Sequence, residues 1–347
     1  MKRSLTLFSQ GSTYGHAVGR IMVHEAGLLN MQQVYRMIES DYAEALAVAS
    51  ETVYGPYLEG AATQVEVEEG LMRFLANQYQ FIDRVTQGTP VSEFLHLKYD
   101  FHNLKVVLRR KYFGGTEGEE LLSGLGSVTV DSIEGLLEGE GRVEVPGYVR
   151  EAAERVSEAM EQGEPDPQRI DTIVDRAFLE QRLAVAEETG SELLVDFCRA
   201  SIDLANILIL VRGRKLDKGP EYYEEALAEG GELKRQRLFK LEGETVEAVA
   251  AAMPGSRYAR MLAGMLEYGD EATRLTSFDR ASDEFLLEEL RKFSTVSVGP
   301  ERVVRYMLAR ENEVAMLRVI FVGKLNALTP EVIESRLPVT YMREATR

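Results

Sequence analysis

Certain residues in this chain have types and spacings that could do chemistry. An acid followed three residues later by an asparagine occurs twice: Asp100 with Asn103 in YDFHNLKVVLR, and Asp203 with Asn206 in IDLANILILVR. A carboxylate beside a carboxamide can hold a proton or a polar group in place, but catalysis would need a convergent base and a cleft. Glu93-x-x-His96 matches half of the paired motif of di-iron bundles, which requires two such helices. His16, His24 and His102 have no Glu three residues before them. Asp171 and Asp175, four apart on a helical pattern, have a spacing that could hold a hard cation, although such pairs are ordinarily a solvated face. Cys198 lies on an apolar stripe with Leu194 and Phe197 and reads as a buried, inert thiol. No GxxxxGK[ST] occurs, and the run GLLEGEGRVEVPG lacks the GxGxxG spacing, so it reads as a loop. No catalytic, cofactor-binding or metal-binding residue is therefore assigned.

The elements that must position these residues are helical. Apolar residues from Leu29 to Tyr57 recur at steps of three and four and predict one helix, capped by Asn30 with Gln33 and closed near Pro56 and Gly60. A second helix carries Leu71, Phe74, Ile82 and Val85 and ends at Gly88 and Pro90; a third runs from Phe94 through Leu97, Phe101, Leu104 and Leu108 to Tyr112. Val143–Val145 and Ser294–Val298 are β-like but very short. The fold class is all-α.

The third helix repeats. An offset of 103 places Asp100 on Asp203, Asn103 on Asn206 and Arg109 on Arg212. A further offset of 110 sets Asp203 on Glu313 in a weaker copy, ARENEVAMLRVIFVGKLNAL, in which Met316 replaces the asparagine, Arg318 falls on Lys105 and Lys324 on Lys111. Upstream, Leu29–Glu39 resembles Ser127–Glu138, and Gly243–Ala251 is a shorter version. A period this long suits no short solenoid repeat. The reading is three divergent helical modules, 1–118, 119–230 and 231–347. In it, Asp100, Asn103, Asp203 and Asn206 hydrogen-bond a neighbouring helix and fix how the modules pack. The basic ends complement the helix dipole. Arg109, Arg212 and Arg318 also stand out as positive spots where a partner could bind.

The 347 residues carry 40 Lys+Arg against 57 Asp+Glu, a net charge of −17. That balance repels phosphate backbones and anionic leaflets, and excludes nucleic acid as the expected partner. One cysteine cannot pair within the chain and fits a reducing compartment. The longest apolar stretch, Leu204–Val211, is interrupted by Asn206 and falls far short of the ~20 residues that span a bilayer. A soluble, cytoplasmic chain without direct membrane insertion is expected.

STYGHAVGR near the start, YDFHNLKVVLR, IDLANILILVR and the closing NEVAMLRVIFVGKLNALTPEVIESRLPVTY together resemble the C subunit of archaeal- and bacterial-type A/V-type rotary ATPases, related to the d subunit of the eukaryotic vacuolar ATPase. The resemblance runs from Tyr14 to Tyr341, and Met316 is a departure from it. It implies three similar helical bundles in a pseudo-threefold, funnel-like arrangement on the cytoplasmic side of a proteolipid ring. It also implies a non-catalytic rotor subunit without cofactor or metal. Its partners would be the D and F subunits of the central stalk, the proteolipid ring and the stator membrane subunit. Its work would be to couple ATP hydrolysis or synthesis to H⁺ or Na⁺ transport. Two other readings stand beside it: a helical scaffold or adaptor unrelated to ATPases, and an all-α hydrolase using Asp171, Asp175 and Asp203 on a metal.

Overall fold

A computed structural model describes residues 2–114, 121–139, 143–162 and 166–338, with side chains from Tyr14 onward and without that of Glu271. The expected module boundary at 118/119 lies outside the described residues. Among those residues there is no strand. The chain runs α1 (Lys2–Glu25), α2 (Met31–Glu39), α3 (Tyr42–Ser50), α4 (Gly55–Leu58), α5 (Gln64–Val85), α6 (Pro90–Phe113), α7 (Val130–Glu138), α8 (Gly147–Glu161) and α9 (Pro167–Glu188). It continues with α10 (Glu192–Lys215), α11 (Pro220–Ala226), α12 (Arg235–Phe239), α13 (Val246–Ala251), α14 (Ala259–Met265), α15 (Glu271–Lys292), α16 (Pro300–Leu325) and α17 (Pro330–Ser335).

Sequence patterning is realised with local corrections. Asn30 and Gln33 form the reciprocal cap of α2, with Asn30 Oδ1 accepting from the Gln33 N–H at 2.9 Å. The single helix expected over Leu29–Tyr57 is instead broken into α2, α3 and α4. Its periodicity continues across the break, but Asp41 takes an extended conformation and caps the Glu44 N–H at 2.9 Å, starting a new helix. Of the β-like fragments, Val143–Val145 has no regular structure, and a 3₁₀ turn at Phe293–Thr295 occupies the start of the other.

The long helices repeat as pairs. α5, α9 and α15 each have 22 residues. Each precedes a longer helix: α6 and α10 with 24 residues and α16 with 26. These longer helices carry Asp100, Asp203 and Glu313. The short α2 and α7 each have 9 residues. Pro220 and Pro330 begin α11 and α17, the short helices that follow α10 and α16.

By compactness the chain divides into two units, Met1–Ser92 with Leu287–Arg347, and Glu93–Leu286. Both boundaries fall inside helices, α6 and α15. In the first unit α16 packs on α1, α3 and α5, burying Val304, Met307, Leu317 and Phe321. In the second, α10 packs on α9, and Ile207, Leu210, Tyr223, Leu262 and Phe278 share one apolar core. Among the described residues, no helix is long and apolar enough to cross a membrane.

The repeated helices also end alike. Gly114, Asp217 and Ala327 follow α6, α10 and α16 at equivalent positions, all with positive φ (73°, 51° and 53°). After the last two, the next N–H reaches back to close the helix: Lys218 to the Gly213 carbonyl and Leu328 to the Gly323 carbonyl, both at 2.9 Å. Glycine takes this left-handed geometry freely and aspartate tolerates it, whereas alanine is strained there. Ala327→Gly should therefore raise stability by roughly 0.5–1 kcal/mol. A thermal melt of the purified chain checks this, and a lowered melting temperature would contradict it.

Candidate functional site

The candidate site is a polar clasp that recurs on α6, α10 and α16. Its first rung is a buried carboxylate. Asp100 accepts from the Val128 N–H (2.9 Å) and the hydroxyls of Ser127 (2.7 Å) and Tyr148 (3.0 Å). Asp203 accepts from the N–H groups of Glu232 (3.1 Å) and Leu233 (3.0 Å) and the Tyr258 hydroxyl (2.9 Å). Glu313 accepts from the Leu29 N–H, the Tyr54 hydroxyl (2.6 Å) and the Arg310 guanidinium (2.7 Å). All three acids are buried. An unpaired carboxylate at such depth would be severely penalised, and each is compensated by backbone and tyrosine donors.

Electrostatics follow burial. Desolvation pushes the Asp203 and Glu313 carboxyls above their ordinary values. For Asp203 the Leu233 N–H, the Tyr258 hydroxyl and the Glu232 N–H pull back; for Glu313 the chief opposing group is Arg310. Burial also raises Tyr54, Tyr148 and Tyr258, with the adjacent carboxylate adding to it. These phenols stay protonated, and so they donate.

In the first two clasps glycine lets the carboxylate approach. Gly27, Gly126 and Gly231 each lie two residues before the N–H donors Leu29, Val128 and Leu233. A Cβ on Gly126 would sit 2.7 Å from Asp100 Oδ1, and one on Gly231 2.1 Å from Asp203 Oδ1.

The second rung is the asparagine. Asn103 donates to the Ser123 carbonyl and accepts from its N–H, both at 2.8 Å. Asn206 does the same with Ala228, at 2.9 and 2.8 Å. Their partner is main chain in the following connection rather than the neighbouring helix expected from the sequence. Groups inside a helix are already bonded to one another, while those of a connection still need partners. In the third copy, Met316 cannot make this bond. Arg310, one turn before Glu313, replaces it, donating to the carbonyls of His24 (2.7 Å) and Gly27 (3.1 Å). His24 stands five residues before Leu29, as Ser123 stands before Val128 and Ala228 before Leu233.

The third rung lies eleven residues after each acid, about three turns along and so on the same face. Lys111 donates to the Leu137 carbonyl (2.7 Å), Arg214 to that of Gly243 (2.7 Å), and Lys324 to those of Ile38 (2.9 Å) and Ser40. These basic ends therefore serve as clamps on another segment, one that follows the helix for Lys111 and Arg214 and lies near the N-terminus for Lys324.

Arg109, Arg212 and Arg318 are half-exposed and salt-bridged within the chain. Arg109 pairs with Asp171 on α9, Arg212 with Asp279 on α15 at 3.1 Å, and Arg318 with Glu68 on α5 through two 2.6 Å bonds. Asp175 holds Lys105 at 2.6 Å. Asp171 and Asp175 thus meet basic side chains, and Asp203 serves the clasp. Among the described residues no group of three or more His, Cys, Asp or Glu is gathered to hold a metal. His96 Nδ1 lies 2.5 Å from the Leu125 carbonyl. Cys198 is buried, which pushes its thiol up to about 11.

Sequence reasoning missed the tyrosines, the glycines and Arg310. A Gly-x-apolar triplet about 26 to 28 residues after each internal acid was the available signal.

The sequence profile of the ATP synthase (C/AC39) subunit family matches residues 17–336. The chain is similar to the C subunit of the A-type ATP synthase of Methanocaldococcus jannaschii, with 27% identity covering 93% of this chain and 86% of that protein. It is also similar to the C subunit of the V-type sodium ATPase of Enterococcus hirae (23%; 91% and 95%) and to that of the A-type ATP synthase of Halorubrum lacusprofundi (29%; 94% and 97%).

If the rungs fasten helix to segment, Asn206→Leu should destabilise by about 1–3 kcal/mol, because the Ala228 N–H and carbonyl lose their partner. Arg310→Met should cost more, about 3–5 kcal/mol, since it strips a buried carboxylate of its cation. Urea unfolding of both variants tests this order; equal, negligible losses would refute it.

Proposed function

This chain belongs to the ATP synthase (C/AC39) subunit family, and on that premise we propose that it is a non-catalytic rotor subunit of an A/V-type ATPase. In this reading it is a socket on the cytoplasmic side of the proteolipid ring that receives the foot of the central stalk, made of the D and F subunits, beside the stator membrane subunit. It couples ATP hydrolysis or synthesis to H⁺ or Na⁺ transport. It is built as three helical modules, 1–118, 119–230 and 231–347, in a pseudo-threefold, funnel-like arrangement.

The observation that carries the reading is the family match across residues 17–336. Two structural features support a mechanical part. The long helices recur in matched pairs, as a socket made of repeated modules would require. The buried acids and asparagines on them are engaged with main chain and tyrosines, so they serve cohesion. A helix pinned at three levels along one face resists sliding, and close-packed interiors of low compressibility transmit force. Arg109, Arg212 and Arg318 remain the proposed partner contacts. Because each already faces an acid of its own chain, a partner would engage the ion pair and not a bare cation.

Ion pumping and ATP hydrolysis, measured in vesicles holding the complex with and without this protein, test the proposal. Hydrolysis should persist while pumping collapses when the protein is missing, and pumping should return when it is added back. Full pumping without it would overturn the adaptor role.

A further inference from the structure

The three clasps differ in how far they reach along the chain. Asp100 and Asp203 bind segments that begin fewer than thirty residues later, whereas Glu313 binds Leu29 and Tyr54, separated from it by 284 and 259 positions. The first unit is therefore closed by its last long helix. Beside its buried apolar face, α16 fastens to the N-terminal segment along a seam by a row of polar rungs. Arg302 and Arg305 pair with Glu25 at 2.5 and 2.8 Å. Arg310, Glu313 and Lys324 hold backbone of residues 24–40, Arg318 holds Glu68, and the Tyr306 hydroxyl donates to Gln78 at 2.6 Å. Just before α16, Val296–Gly299 is an irregular connection in which Val298 is 42% exposed.

We propose that α16 and α17 form an exchangeable arm, and that a second copy of this chain fits the seam by supplying that arm in a reciprocal dimer. The surface the arm leaves presents the Leu29 N–H, the Tyr54 hydroxyl, and the His24 and Gly27 carbonyls, in an order that the same arm from another copy would match rung for rung. Exchange replaces every bond by an identical one, so its cost lies in the pivot and in association. Within one chain the arm is always near its seat, so the closed monomer dominates in dilute solution. Concentration, together with salt that loosens the ionic rungs, opens the route to the dimer.

Arg318 and Glu68, partly exposed on both sides, allow a reciprocal test. Full-length R318E and E68R chains each place like charges together when closed on themselves. Exchanging arms between them restores an opposite pair at both seams. The two chains are mixed at high concentration in about 1 M salt, where screening shortens to ~3 Å, returned to low salt and read by native mass spectrometry. The expected result is a heterodimer exceeding either homodimer about tenfold. R109E mixed with D171R, a pair not on the arm, should stay monomeric. Circular dichroism of each chain verifies folding. Should a variant misfold, ¹⁴N- and ¹⁵N-labelled unmodified chains are mixed and cross-linked instead, and mixed-isotope links between α16 and residues 29–85 are the expected product. Monomers alone, dimers in statistical proportion, equal dimerisation of the control pair, or an absence of mixed-isotope links would each overturn the proposal.

Discussion

A carboxylate taken out of water must find donors, and that requirement organises this protein. Asp100, Asp203 and Glu313 each sit on the apolar face of a long helix, where desolvation would be prohibitive if they were alone. The donors that meet them come from main chain and from tyrosines whose buried phenols stay protonated. Each acid therefore selects one register between its helix and the segment it holds. A shift by a single turn would leave the carboxylate, the N–H and the phenol all unsatisfied. Apolar packing alone tolerates such shifts far better, because it is non-directional.

The other rungs inherit that register. Once the acid is seated, the position three residues on faces connecting backbone, and the position eleven on reaches the end of the next short helix or its neighbouring turn. Asparagine suits the second rung because it can donate and accept at once, pairing with both groups of one peptide. The third copy gives up this two-way pairing. Arg310 supplies donors only, so it reaches two carbonyls, and its charge also partners Glu313. One residue thus does what an acid's neighbour and an asparagine do elsewhere, at the cost of burying an ion pair. That substitution concentrates charge where α16 meets residues 24–29.

Membership in the ATP synthase (C/AC39) subunit family gives these rungs a context. The chemistry found in the interior is cohesive, with directional bonds repeated along three helices. The arginines that stood out against the net charge belong to the same scheme, each spanning from an acid-bearing helix to a different long helix.

The all-α class, the recurrence of Asp100 at Asp203 and Glu313, and the cap at Asn30 were legible in the sequence because they depend on local spacing: periodicity, residue type and offset act within a few turns. The sequence also marked basic helix ends, Lys111 and Lys324 among them, without showing what they hold. Only the tertiary structure decided that these ends clamp carbonyls of other segments, and that Asn103 and Asn206 bind connections instead of helices. It likewise split the helix expected at Leu29–Tyr57, since an apolar period survives a break that a single capping aspartate enforces. The tyrosines and Arg310 stayed hidden for a physical reason. A hydrogen bond depends on where donor and acceptor meet in space: Leu29 and Tyr54 lie hundreds of residues from Glu313, as do the His24 and Gly27 carbonyls from Arg310, separations no local pattern records.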